Sequence, residues 1–128
     1  MNLLLDTHVA IWFVTEDKKL SASTKAFIEN HEGKVWVSIA SYWEIGIKHS
    51  LNKLLLKRDL NEIFNIISDS GLELLSITPL HILQNIQLPF HHRDPFDRML
   101  VAQAQCDNLT LVSKDEWIRN YEVDLFWI

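Results

Sequence analysis

Five short apolar runs, at residues 2–5, 35–37, 72–75, 109–112 and 123–127, alternate with stretches of helical character along the whole chain. That alternation constrains the fold more than any other property of the sequence. A strand followed by a helix and then a further strand of the same sheet closes by a right-handed crossover, which makes the strands parallel. Parallel strands are covered on both faces, which suits continuous apolar runs such as Leu3-Leu4-Leu5 better than a strict polar–apolar alternation. The expected architecture is therefore α/β, a three-layer α/β/α arrangement with a central, mainly parallel sheet in a single domain spanning 1–128. The pattern does not set the order of the strands.

The helices announce themselves by local chemistry. Ser21 to Thr24 offer N-caps for a helix through 25–30, and Ser38 or Ser41 can cap the helix carrying Tyr42 to Lys48. Asp59 begins a clean amphipathic stretch with Leu60, Ile63, Phe64, Ile66 and Ile67 along one face, and Gly71 ends it. Thr78-Pro79 and Asp94-Pro95 place proline in a first helical turn, where its missing N–H costs nothing. Residues 51–57 read as a connector, and a short helix is expected near Glu116-Trp117-Ile118.

At 128 residues the chain is long enough to bury a sizeable core. No apolar stretch approaches the roughly 18 residues that span a bilayer. The N-terminus reaches Asp6 without a basic region, so it does not read as a signal peptide. These features lead us to expect a cytoplasmic protein without a membrane partner. The single cysteine, Cys106, lies in an apolar helical stretch and reads as a small core residue. The five tryptophans read as core filling or as an oligomer interface. A net charge of −5 argues against a broad basic surface gripping nucleic acid through phosphates alone.

Asp6, Glu44, Asp97 and Asp115 lie far apart in sequence, yet each falls at a strand-to-helix switch or just inside a helix. In an open parallel sheet the carboxyl ends of the strands share one edge, where ligand crevices form. Carboxylates gathered there would make a cage for a hard divalent cation, Mg2+ or Mn2+, held by oxygen ligands. Each acid also has a bland explanation. Asp6, Asp94 and Asp115 can act as helix caps, and Asp97 gains from the dipole of its first turn. Glu44, between Trp43 and Ile45 in an apolar helix, is the hardest to explain that way. Lys48 follows Glu44 by four residues and forms either a surface ion pair or a phosphate contact. Arg93 and Arg98 flank Asp94 and Asp97 and can either touch phosphate or be solvated. The six histidines show no metal spacing, which disfavours a zinc site.

In order, Leu4-Leu5-Asp6-Thr7-His8, Ser38-Ile39-Ala40-Ser41-Tyr42-Trp43-Glu44-Ile45, Asp94-Pro95-Phe96-Asp97-Arg98-Met99-Leu100-Val101-Ala102-Gln103-Ala104 and Leu111-Val112-Ser113-Lys114-Asp115 resemble the PIN domain, and most closely the VapC-like toxins of type II toxin–antitoxin pairs. The resemblance implies a magnesium- or manganese-dependent endoribonuclease that cuts RNA with metal-activated water. It carries the catalytic and metal-binding acids over to Asp6, Glu44, Asp97 and Asp115. Thr7 and Ser113 match small hydroxyl positions beside the site, and Asp94 belongs to the signature of one branch. The resemblance further implies a homodimer and a cognate antitoxin protein. Other readings are a phosphorylated receiver module, a phosphatase-like enzyme, a solitary PIN-domain nuclease without an antitoxin and an inactive binding module of the same fold. The first strand ends in Asp6-Thr7 rather than a paired acid, and residue 8 is histidine, which weakens the first two.

Overall fold

The computed structural model describes residues 1–54 and 56–128. Its framework is a five-stranded, wholly parallel sheet built from β1 (Asn2–Leu5), β2 (Val35–Ser38), β3 (Glu73–Leu75), β4 (Leu109–Ser113) and β5 (Leu125–Trp127). The order across the sheet is β3-β2-β1-β4-β5. Leu4 pairs in register with Trp36 on one side and Leu111 on the other, so β1 is the central strand. The chain builds outwards from β1 to β3, then crosses to the other side for β4 and β5. The direction of winding thus reverses between β1 and β4, the position where doubly wound sheets open a crevice at their carboxyl edge.

The helices are α1 (Thr7–Val14), α2 (Ala22–Glu29), α3 (Ile39–Ser50), α4 (Leu60–Ser68), α5 (Pro79–Gln87) and α6 (Pro95–Asp107), with a short 3-10 helix at Glu116–Asn120. Successive strand residues point to opposite faces. Leu3 and Leu5 accordingly join Val9, Ile11, Ile28, Ile45, Ile63 and Ile67 in one apolar layer. Leu4 and Leu111 join Leu75, Leu100, Val101 and Ile118 in the layer on the opposite face. The three layers expected from the alternation are present.

Local chemistry sets the boundaries. Ser21 and Asp59 cap α2 and α4 by accepting the backbone N–H groups of Thr24 and Glu62. Ser38, rather than Ser41, caps α3 through Ala40 N. Thr78 and His81 form a reciprocal capping box on α5. Gly71 takes φ +86° after α4, a conformation that suits glycine because it has no Cβ. The fifth strand starts later than its apolar run, at Leu125, because Val123 N turns back to the Tyr121 carbonyl. The connector expected at 51–57 joins α3 to α4; Leu55 within it lies outside the described residues.

One core assignment is corrected, and one alternative for the tryptophans is removed. Cys106 is exposed, because α6 buries residues 97–104 almost continuously and then emerges from the core in its last turn. Trp43, Trp117 and Trp127 are also exposed, so core filling does not account for them. Among the described residues, no helix is long and apolar enough to cross a membrane.

Candidate metal centre

The carboxyl edge of β1 delivers the first acid. Asp6 N donates to the Val112 carbonyl at 3.0 Å, extending the β1–β4 ladder by one residue beyond Leu5. Asp6 occupies the N-cap position of α1, yet its side chain makes no capping bond. Instead Ser113 Oγ, at the end of β4, donates to Asp6 Oδ2 at 2.6 Å. Asp6 Oδ1 is buried and has no hydrogen-bond partner among the described residues. A buried carboxylate oxygen left unpaired costs free energy unless something outside the chain satisfies it. Capping therefore does not explain Asp6.

The second acid comes from α3. Glu44 is 2% exposed, and Thr7 Oγ1 donates to its Oε1 at 2.7 Å. Ser41, one turn earlier on α3, shares the Thr7 hydroxyl at 2.8 Å and so locks α1 against α3. Lys48 Nζ pairs with Glu44 Oε2. Burial opposes the charge on Lys48, but the carboxylates of Glu44, Asp94 and Asp97 outweigh it and hold the ammonium above its ordinary value. The pair is thus the partial neutralisation of a buried acid rather than a surface decoration.

The first turn of α6 supplies Asp94 and Asp97. Asp94 Oδ1 accepts from Phe96 N at 2.9 Å and Asp97 N at 3.2 Å, so Asp94 is the cap and Asp97 is released towards the cleft. Burial first, then the negative charges of Asp6, Asp94, Glu44 and Asp115, push the Asp97 carboxyl up to about 9. Burial likewise raises Asp6, with Glu44 adding to the effect; the Ser113 hydrogen bond and the charge of His8 work against it. Asp115 caps the 3-10 helix through Trp117 N at 2.9 Å, and its own N–H donates to Ser113 Oγ at 3.0 Å.

All of these acids line one cleft of about 490 Å³, together with His8, Trp12, Lys48, His92 and Lys114. The sequence expectation for Asp6, Glu44, Asp94, Asp97 and Asp115 therefore converges on a single place, with Thr7 and Ser113 behind it as hydroxyl supports. Arg98 does not belong to it. Its guanidinium is buried and donates to the carbonyls of Asn85, Leu88 and Pro89 at 3.0, 3.2 and 2.9 Å, and Phe90 covers its face. A further donor reaches the Tyr121 hydroxyl at 3.3 Å, so the guanidinium is occupied by the end of α5, the loop before α6 and Tyr121, and the expected phosphate contact is corrected to a structural staple. Arg93 is exposed beside the cleft.

Sequence reasoning missed His92. Its Nε2 lies 2.9 Å from Asp97 Oδ2 and 3.6 Å from Asp115 Oδ2. With Asp94 and Asp97 it offers donor atoms within 4.8 Å of one another. No spacing rule finds it, because the ring enters from a loop rather than from a helix shared with the acids. The donor set, mostly carboxylate oxygen with one buried oxygen unpaired, fits a hard divalent cation. A cation of that kind would also remove the electrostatic pressure that keeps Asp97 protonated.

The chain is similar to known proteins in sequence and in fold. Ribonuclease VapC22 of Mycobacterium tuberculosis is 28% identical over 121 residues, covering 94% of this chain and 92% of that protein. The structure of VapBC2 from Rickettsia felis bound to a promoter DNA fragment overlays with a TM-score of 0.77 at 16% identity, covering 100% of this chain and 99% of the other. DNA-bound VapBC from Salmonella typhimurium gives 0.70 at 17% identity over 98% and 97% of the two chains. A toxin–antitoxin complex from Klebsiella pneumoniae gives 0.65 at 14% identity over 98% and 99%. At those identities the structural likeness is one of fold. The PIN domain family model matches residues 3–123 in one span, and the chain belongs to that family.

Proposed function

We propose that this chain is an endoribonuclease dependent on Mg2+ or Mn2+ and the toxin of a type II toxin–antitoxin pair. The observation that carries the reading is the orphaned Asp6 Oδ1 in a cleft lined by Glu44, Asp94, Asp97 and Asp115. A bound divalent cation would lower the pKa of its water and neutralise charge developing on the phosphate. Asp6, Glu44 and Asp97 would hold it, with Asp115 contributing directly or through water. Ser113 and Thr7 orient Asp6 and Glu44 so that the carboxylates need not reorganise on binding. Lys114 and the exposed Arg93 are the cations left to meet the RNA backbone, since Arg98 is committed to the loop and Lys48 to Glu44.

The antitoxin partner is supported by the family and by the toxin–antitoxin complexes that share this fold. A homodimer is supported by the outer face of α5, where Leu80, Leu83 and Ile86 are 69%, 57% and 68% exposed, continued by Phe90. Replacing Leu83 with glutamate should convert a dimer to a monomer in light scattering without loss of helix signal.

The activity test is cleavage of a mixed RNA pool by purified protein with manganese or EDTA. Cleavage should require the metal and disappear in Asp6→Asn, while the circular dichroism spectrum is retained. Full activity in Asp6→Asn, with contaminating nuclease excluded, would sink the assignment.

A further inference from the structure

His92 stands outside the acid set, yet it touches two members of it. Its backbone and its ring are both held in place. The backbone N–H of His92 donates to the Tyr121 hydroxyl at 3.0 Å, and the imidazole stacks on the Trp117 indole at 6.1 Å between centroids. At the ring edge, Asp94 N donates to His92 Nδ1 at 3.4 Å. A nitrogen that accepts a hydrogen bond carries no proton in the neutral ring, so the proton sits on Nε2. Nε2–H then donates to Asp97 Oδ2 at 2.9 Å, with Asp115 Oδ2 next nearest at 3.6 Å. Ligation through Nε2 would require that proton to move to Nδ1, where it would meet the Asp94 N–H head-on.

We propose that His92 is a positioning residue of the metal centre, holding Asp97 through Nε2–H and setting its distance from Asp115 without itself ligating the cation. This inference rests on the metal-dependent reading above. The arrangement mirrors the pair beneath Asp6: Ser113 orients one acid from the strand end, and His92 orients the other from the loop. It differs in that the His92 support is anchored to a second element. Trp117 and Tyr121 belong to the segment that follows Asp115, so His92, through its ring and its backbone N–H, ties the start of α6 to that segment. Asp94 thereby acquires a role besides capping. Its N–H selects the tautomer of His92, which in turn directs Asp97.

The experiment is manganese binding by calorimetry and pulsed electron paramagnetic resonance on the wild-type protein, His92→Ala and His92→Gln. Loss of an orienting partner of this kind weakens metal affinity about 10- to 100-fold. His92→Ala should show that loss. His92→Gln, whose side-chain amide can donate where Nε2–H does, should recover most of it. The wild-type resonance should show no coupling from a directly coordinated imidazole nitrogen. Unchanged affinity in His92→Ala, equal loss in both variants, or a coordinated nitrogen that vanishes on substitution would each overturn the proposal. Absence of manganese binding by the wild-type protein would instead bring down the metal-dependent reading on which it stands. Matching circular dichroism spectra keep a folding defect from imitating the expected result.

Discussion

Replacing Asp97 with asparagine in the metal-free protein isolates what it costs to pack these acids together. Burial and the neighbouring carboxylates move the Asp97 carboxyl from 3.8 to about 9. An acid whose folded value lies above its unfolded one keeps its proton in the fold after the unfolded chain has lost it. Its contribution to stability is therefore fully present below about pH 4 and is lost as pH rises towards 9. Each pH unit in that window is worth about 1.4 kcal/mol, which sets a ceiling of about 4 kcal/mol at pH 7. The same repulsions are shared with Asp6 and Asp115, and asparagine accepts a weaker hydrogen bond from His92. A net gain of about 2 kcal/mol is expected. With an unfolding entropy of about 2.1 cal/mol/K per residue, a 128-residue domain gains roughly 7 °C. Thermal unfolding in EDTA at pH 5, 7 and 8.5 measures it. The wild-type melting temperature should fall as pH rises, and Asp97→Asn should fall less steeply and melt higher at pH 7. Added manganese should stabilise only the wild type. An Asp97→Asn protein that melts below the wild type at pH 7 in EDTA would refute the electrostatic account.

Other substitutions separate structural from chemical roles. Arg98→Ala should lose about 3 kcal/mol in urea unfolding, because it leaves buried carbonyls unpaired; a phosphate-binding arginine would lose activity with stability intact. Lys48→Met removes the cation beside Glu44 and should tighten manganese binding about tenfold in calorimetry, or about 1.4 kcal/mol. Ser113→Ala leaves Asp6 Oδ2 unpaired as well and should weaken manganese about 10- to 100-fold in calorimetry, while the metal-free protein loses about 1–3 kcal/mol in urea unfolding.

The sheet, its parallel sense and its covering helices were legible because apolar runs and caps are local signals. The acids were legible as a group because parallel strands must share a carboxyl edge, even before their order was known. What could not be read was direction. Arg98 follows Asp97 immediately, and helical geometry turns successive residues by about 100°, so one faces the cleft while the other enters the loop. Only packing decides which of them does so. Cys106 misled for a related reason, since apolar neighbours in sequence do not say where a helix leaves the core. His92 escaped because it reaches Asp97 from the irregular segment before α6 rather than from a helical turn, and the tautomer that gives it meaning is set by a backbone N–H that no side-chain pattern records.

The clamp between Asp6 and Ser113 joins residues 107 positions apart. During synthesis the hydroxyl that holds the first acid is made 107 residues after it. Until β4 slides in beside β1, Asp6 has neither its backbone neighbour at Val112 nor its clamp. Truncated or stalled chains would therefore carry most of the acids but no assembled centre. For a protein proposed to cut RNA, the topology itself delays the onset of danger until β4 has been made.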